Sequence, residues 1–248
     1  MTEIIKPRLE HKAEFKKILA DYKISHHAQT ILDSTKLVIF TGIAGGGRNT
    51  VINELVKTGK YHFIVSDTTR PPKLRDGRME QDGVQYFFRT EAAMLADLQA
   101  GEFLEAEVIH GQQVSGISIR ELDRASKSGK IAINEVELVG ARNIAAAKPD
   151  AFIIGVIPPS YDEWLRRFLN REKITDEEFL SRIHTAQKVL EQIIMHPAIK
   201  IVINDDLHHC VADVQEIVEK GLYSNNVHVK RLSVAQELLT CIQELPSI

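Results

Sequence analysis

Cysteine is nearly missing from this chain. Of 248 residues only Cys210 and Cys241 carry a thiol, and no paired spacing links them. Two such thiols fit a reducing, cytoplasmic compartment better than a disulfide framework. Long apolar runs are missing too. None approaches the roughly 20 residues a membrane span requires, and the opening Met1-Thr-Glu-Ile-Ile-Lys6 is too polar for a secretory leader, so no membrane association is expected. Positive charge is not in excess. The 31 Lys and Arg stand against 34 Asp and Glu, dispersed along the chain, which argues against non-specific binding to nucleic acid. There is no internal repeat, no low-complexity segment and no metal-ligand spacing. His208-His209-Cys210 are adjacent, so on a helix they point in different directions, and no second pair stands at Cys-x-x-Cys or His-x-x-x-His spacing. What the chain does have is 44% hydrophobic and 26% charged residues, enough apolar material for the core of one large or two small globular domains.

The most informative segment is Gly42-Ile43-Ala44-Gly45-Gly46-Gly47-Arg48-Asn49-Thr50. It follows the apolar, β-branched run Lys36–Phe40, which reads as a buried strand, and precedes Val51–Val56, which reads as helix. Strand, glycine loop, helix is the setting of a phosphate-binding P-loop, Gly-x-x-x-x-Gly-Lys-Ser/Thr, whose backbone N–H groups cradle phosphates while the lysine neutralises them and the hydroxyl ligates Mg²⁺. Gly42 and Gly47 hold the glycine positions. Arg48 stands where lysine belongs and Asn49 where the hydroxyl belongs, and Thr50, one residue on, points elsewhere around the helix.

Downstream, strands are expected at 61–66, 83–88, 103–109, 111–118, 130–137, 151–157 and 199–203, with a charged loop over 73–81. Helices are expected at 91–100, closed by Gly101, at 119–128, stopped by Gly129, and at 161–169 and 176–194. Strands alternating with helices imply an α/β fold with a mainly parallel sheet, covered on both faces, and ligands at the carboxyl ends of its strands. Two segments lie outside this pattern. Residues 1–35 carry Phe15, Ile18, Leu19 and Tyr22 at i, i+3, i+4, i+7 spacing. Ser233-x-x-Gln236 reads as a capping box opening a C-terminal helix with Val234, Leu238, Leu239, Ile242 and Leu245, and Pro246 beyond it. Packing on their own domain is the ordinary role of such stripes; a homodimer or a protein partner held through them is the alternative.

From Leu37 to about Ile217 an ordered series of motifs continues: Ser66-Asp-Thr-Thr-Arg70-Pro-Pro72, Gly83-Val-Gln-Tyr86-Phe-Phe88, Gly101-Glu-Phe-Leu-Glu105 before His110-Gly111, Glu135-Val-Glu137 before Gly140-Ala141, Pro158-Pro-Ser160 before Arg167, Arg171 and Arg182, and Val202-Ile-Asn204-Asp-Asp206. In this series the chain resembles a guanylate kinase, a P-loop nucleoside monophosphate kinase. The resemblance implies a P-loop NTPase three-layer fold with a small antiparallel monophosphate-binding insert and a helical lid. It divides the chain into a helical N-terminal extension (1–35), a kinase-like domain (36–220, with core 36–66, 119–160 and 195–220, insert 67–118 and lid 161–194) and a helical C-terminal extension (221–248). The reaction it implies is transfer of the ATP γ-phosphate to GMP, with ATP and Mg²⁺ as cofactors.

The same resemblance distributes the roles. Gly42, Gly45, Gly46, Gly47, Arg48, Asn49 and Thr50 would cradle ATP with Asn204 at its adenine, and Asn49 would face the metal. Arg48, Arg167, Arg171, Arg182 and Glu137 would serve catalysis, Glu137 where the family usually has aspartate near the transferred phosphate. Ser66, Arg70, Lys73, Tyr86, Glu105, Ser115, Ser118 and Glu137 would line the acceptor pocket, with Arg70 and Tyr86 on the phosphate and Glu105 on the guanine N1–H and amino group. Lys73, Arg75 and Arg78 are equal candidates for a second loop cation. Side-chain chemistry supports the arginines independently: Arg167 and Arg171 are four apart, hence on one helix face, and guanidinium forks suit phosphate oxygens. The bland reading of Arg167 is a solvated face paired with Asp162 and Glu163.

Departures from the family lie at Arg48, at Asn49, in a lengthened loop between Pro72 and Glu80, and at Ser115-Gly-Ile117-Ser118, where Ser115 and Ile117 replace a tyrosine and a hydroxyl. Each lost hydrogen bond to a buried partner costs on the order of 1–3 kcal/mol, so a relaxed acceptor choice or reduced turnover is expected. The alternatives are an inactive guanylate kinase-like binding module and a related kinase with another small phosphate acceptor. Retained phosphate-binding arginines and a full glycine cradle favour the enzyme.

Overall fold

The computed structural model describes residues 9–75, 77–136, 138–170 and 176–245. Helices α1 (Lys12–Ala20) and α2 (His26–Ser34) precede strand β1 (Leu37–Thr41), and α3 (Arg48–Lys57) follows the glycine loop. Next come β2 (Tyr61–Phe63), β3 (Asp67–Thr68), β4 (Leu74–Arg75), β5 (Arg78–Met79), β6 (Phe87–Phe88), α4 (Glu91–Gln99), β7 (Phe103–Ile109) and β8 (Gln113–Ser118). The chain continues through α5 (Ile119–Lys127), β9 (Ile131–Glu135), α6 (Leu138–Ala147), β10 (Phe152–Ile157), α7 (Tyr161–Leu169), α8 (Asp176–Met195), β11 (Ile199–Ile203), α9 (Leu207–Lys220) and α10 (Asn225–Gln243).

A five-stranded sheet runs in the order β11-β10-β1-β9-β2, with β10 parallel to both β1 and β11. Parallel neighbours need long crossovers, which the intervening helices supply, and strands covered on both faces read as unbroken Val/Ile/Leu runs. Every residue of β1 is buried. The fold is the mixed α/β one expected, with a mainly parallel central sheet.

The chain divides into two compact units. One comprises Met1–Lys36, His62–Ala132 and Ala146–Pro149; the other comprises Leu37–Tyr61, Ile133–Ala145 and Asp150–Ile248. Within the first, a four-stranded sheet has the order β6-β3-β8-β7. β8 runs antiparallel to β3 and β7, while β3 and β6 pair in parallel, so the expected antiparallel insert is a mixed sheet. The N-terminal stripe belongs to this unit's core. Phe15 is fully buried with Met94, Leu95, Leu98, Phe103 and Val114, and Ile18, Leu19 and Tyr22 pack beside it. Burying a phenylalanine of this kind contributes roughly 1.5–3 kcal/mol. In the second unit α3 packs with α9, and α10 with α8 and β11.

Four local expectations need correction. Ser233 does not open the C-terminal helix, because α10 begins eight residues earlier: Ser224 is its N-cap, in extended backbone (φ −78°, ψ 156°), and its Oγ accepts from Val227 N. An Ser-x-x-Gln spacing recurs inside helices, whereas a cap also requires a non-helical residue at its first position. The strand expected at 83–88 shrinks to Phe87–Phe88, because Gly83 N donates to Tyr86 O and folds the segment into a turn. The strand expected at 61–66 ends at Phe63, and the loop at 73–81 contains the β4–β5 hairpin. Among the described residues, no helix is long and apolar enough to cross a membrane.

Candidate functional site

The glycine loop leaves β1 and enters α3 through two positions that only glycine can fill. Gly42 has φ +149°, and a Cβ there would lie 2.3 Å from Val156 O; Gly47 has φ +90°, and a Cβ there would meet Asn204 Nδ2 at 2.1 Å. Gly47 is the N-cap of α3 and offers no side chain to its first turn, so those amides remain uncapped. Unpaired N–H groups at the positive end of a ten-residue helix are a ready anion site. A cavity of about 400 Å³ opens here, lined by Gly45, Gly47, Thr50, Arg166, Arg167, Asn170, Asn204, Asp205 and Leu207.

The loop is braced from two sides. Asn204, buried at the end of β11, donates its amide to Gly46 O at 3.0 Å. Trp164, fully buried on α7, donates its indole N–H to Ala44 O at 2.9 Å and stacks on Phe168. Arg167 Nη1 reaches Asn204 O at 2.9 Å, while its Nε holds Glu163 at 2.6 Å. Arg166 grips the same carboxylate with two bonds, and these two arginines, Arg166 first, pull the Glu163 carboxyl down to about 2. Thus the bland partner of Arg167 is present, and the guanidinium lines the cavity nonetheless.

Arg48 lies along the loop, its Cδ 3.4 Å from where a Gly42 side chain would start. Its Nε stands 3.9 Å from Oε2 of Glu135 at the end of β9, a buried oxygen with no hydrogen-bond partner among the described residues. Asn49 and Thr50 are exposed on the first turn of α3, and Thr50 lines the cavity where Asn49 does not. One residue along a helix turns the side chain by about 100°. Arg182 pairs with Glu178 at 2.5 Å and lies over the Phe168 ring, away from the cavity lining. Arg171 and Glu137 lie outside the described residues.

The acceptor-pocket candidates fall in the other unit, where Arg70 is the centre. It is buried, bonded to both carboxylate oxygens of Glu80 (2.5 and 3.0 Å) and to Pro71 O, and stacked over Tyr86 with 4.7 Å to the ring centroid. Burial opposes its charge, but Glu80 and then Tyr86 more than offset this and hold the guanidinium above its usual range. Glu80 also accepts from Lys73 N, leaving the Lys73 side chain exposed. Beside this group Asp67, fully buried, is held by Arg89 at 2.6 Å and Arg120 at 2.8 Å. Ser66 O accepts from Phe87 N.

Glu105 is half-buried on β7, directly opposite Ile117 of β8. Opposed residues of an antiparallel pair share a face, so the carboxylate has an apolar neighbour. Burial, helped by Glu107, pushes its carboxyl up to about 7. Ser115 Oγ donates to Thr68 Oγ1, and Ser118 Oγ caps α5 by accepting from Arg120 N. Their hydroxyls are therefore engaged in structure. Glu80, Glu135, Trp164 and Arg166 escaped the sequence reading. The tandem Arg166-Arg167 was a usable signal for one of them; the others depend on contacts between distant segments.

The guanylate kinase family model matches residues 34–221, which contain the glycine loop, the braces and the Arg70 cluster. The chain belongs to the guanylate kinase family. It is 35% identical over 185 residues to guanylate kinase of Corynebacterium diphtheriae, covering 74% of this chain and 94% of that protein. It is 31% identical over 214 residues to guanylate kinase of Rhodococcus jostii, covering 85% of this chain and all of that one. The crystal structure of guanylate kinase from Anaplasma phagocytophilum superposes with a TM-score of 0.53 at 19% identity over 89% of this chain and 98% of that one, a likeness of fold. As a guanylate kinase family member the chain is a nucleoside monophosphate kinase by homology, with Arg48 and Asn49 as substitutions inside its loop.

Proposed function

We propose that this protein transfers the γ-phosphoryl group of ATP to the phosphate of GMP, yielding ADP and GDP. The observation that carries the reading is the convergence on one cavity of an uncapped helix start, a glycine cradle and two guanidinium groups, Arg166 and Arg167. Phosphoryl transfer needs positioning and charge stabilisation more than covalent help. The amides at Gly47–Thr50 take the nucleotide phosphates. Arg48, released from Glu135, supplies the lysine's charge in fork-shaped form, and Arg167 neutralises charge that builds on the transferred group, joined by Arg171 and Arg182 from the lid. Mg²⁺ supplies charge neutralisation between the phosphates when bound. Among the described residues no three His, Cys, Asp or Glu side chains gather for a metal. An ion held chiefly by phosphate and water would draw from the chain on the Asn49 amide oxygen and on Oε2 of Glu135, which has no hydrogen-bond partner among the described residues.

On the acceptor side, Arg70 and Tyr86 take the GMP phosphate, Lys73 adds charge from the loop, and Glu105 in its ionised form accepts from guanine N1–H and the amino group. Ser66, Ser115 and Ser118 line this pocket, Glu137 faces the reacting phosphates, and Asn204 meets the adenine while bracing the loop. Residues 67–118 act as acceptor insert and 161–194 as lid, on a core of 36–66, 119–160 and 195–220. The test is ADP release by the full chain with ATP and Mg²⁺, with and without GMP. GMP-dependent turnover is expected, and ADP release that ignores GMP at millimolar concentration would sink the reading.

A further inference from the structure

The N-terminal segment reaches a strand edge in the same unit that carries Glu105. β7 is an edge strand, and its ladder with β8 shifts register between Phe103 and Glu105. A shift of this kind interrupts the ladder and re-aims the side chains beyond it. At that point the polar groups of Phe103 are met by a side chain instead of a strand. The Tyr22 hydroxyl donates to Phe103 O and accepts from Phe103 N, each at 2.8 Å. Just before, Ser25 N donates to Gly101 O at 2.9 Å and Ser25 Oγ to Glu102 Oε1 at 3.1 Å. The approach is close enough that a Cβ on Gly101 would lie 2.5 Å from Ser25 N. Burial pushes the Tyr22 phenol up to about 12, so it remains a donor at working pH.

We propose that Tyr22 is a positioning residue for acceptor recognition: by fixing both backbone groups of Phe103 at the register shift, it sets the direction in which Glu105 leaves β7 toward the base. The proposal rests on the reading of Glu105 as the residue that meets guanine. Segment 22–25 and segment 101–103 form one clamp, and Glu105, two residues beyond Phe103, is the first residue of β7 to pair with β8 past the register shift. A phenol suits the task because a single O–H both donates and accepts, which the C=O and N–H of one strand residue require. Loss of the hydroxyl leaves those two groups to water and gives β7 freedom where Glu105 needs a fixed exit. The effect falls on acceptor affinity and base choice, since Glu105 touches no part of ATP.

The test is steady-state kinetics of the full chain, varying GMP at saturating ATP and the reverse, for the wild type, Tyr22→Phe and Glu105→Gln. Tyr22→Phe is expected to raise KM for GMP about fivefold, one hydrogen bond's worth, with kcat and KM for ATP held within about twofold. It should also narrow the preference for GMP over IMP, which lacks the amino group. An unchanged KM for GMP, or an equal rise in KM for ATP as general loosening would give, overturns the proposal. Glu105→Gln separates the layers. A rise in KM for GMP with Glu105→Gln but not with Tyr22→Phe removes the positioning role and leaves the Glu105 reading standing, whereas no rise with Glu105→Gln removes both. If Tyr22→Phe yields too little folded protein, Tyr22→His keeps a ring whose nitrogen toward Phe103 can donate or accept but not both, so one of the two bonds is lost. A folded Tyr22→His protein with unaltered KM for GMP overturns the proposal equally.

Discussion

The indole N–H of Trp164 donates to Ala44 O across 2.9 Å, so helix α7 is tied to the glycine loop by one side chain. Trp164 is the chain's single tryptophan, which makes the bond directly observable. ATP added to the protein should change the intrinsic fluorescence saturably. Trp164→Phe keeps the ring packing and removes the donor; it should raise KM for ATP about three- to tenfold while KM for GMP stays put. A variant with normal ATP kinetics would show the bond to be incidental to the loop.

If Glu105 meets guanine as proposed, its carboxyl makes the reaction sensitive to pH. Its carboxyl titrates near 7 in the free protein, and acceptance from guanine N1–H requires the ionised form. Values of kcat/KM for GMP should therefore rise between pH 6 and pH 8 with an inflection near 7, as that ratio reports the free enzyme. Stability should move the other way. Between 4.5, its ordinary value, and about 7 the native state holds a proton that the unfolded chain has released, so folding stability declines as pH rises through that window. Glu105→Gln should raise the melting temperature at pH 8 and leave it unaltered at pH 4. Equal effects at both pH values would count against a perturbed carboxyl.

Under the proposed function, turnover depends on the substitution at Arg48. Arg48→Ala removes the charge that stands in for lysine, and kcat is expected to fall by about a hundredfold or more in an ADP-release assay. The double change Arg48→Lys, Asn49→Ser restores the family loop and should increase turnover with GMP. If the alanine variant were as active as the wild type, the phosphate charge would have to be met by the lid arginines alone.

Asp67 tests the unit around Arg70 as a structure. It is fully buried between Arg89 and Arg120. Asp67→Ala removes the counter-ion that the two guanidinium groups share, but Arg89 keeps Asp97 at 2.8 Å and Arg120 is open to solvent, so a cost of about 1–3 kcal/mol is expected. A clear drop in denaturation midpoint is expected, visible by circular dichroism. An unshifted midpoint would mean that solvent replaces the carboxylate freely.

Much of this was legible in the residues, and the reason differs from case to case. The strand at 103–109 and the helix at 161–169 stand where the sequence placed them, because their periodicity is local and their borders carry strong signals such as Gly101 and Ser160. The glycine cradle was legible because positive φ and contact with Val156 O leave no alternative residue. The segment at 83–88 misled, since β-propensity marks what suits a strand and not whether a partner is there to pair with it. Ser233 misled because a capping pattern is indifferent to the residues before it. The bonds from Trp164 to Ala44 and from Glu80 to Arg70 join positions whose separation carries no periodic mark. Only folding brings them into view.

Tyr22 has a counterpart at the other end of the chain. The Tyr223 hydroxyl accepts from Ile201 N at 2.9 Å and donates to Ile201 O at 3.3 Å, on β11, the outer strand of the five-stranded sheet. Each terminal extension thus places a phenol, joined on β11 by Arg231 Nη1 at 3.1 Å from Ile201 O, on a stretch of strand that would otherwise invite another chain to pair with it. Both tyrosines fall outside residues 34–221, the span the family model matches. A protein trimmed to that span would carry two bare margins and a tendency to stick to itself. The span that matches the family, 34–221, is therefore shorter than the span over which both of these strand edges are covered.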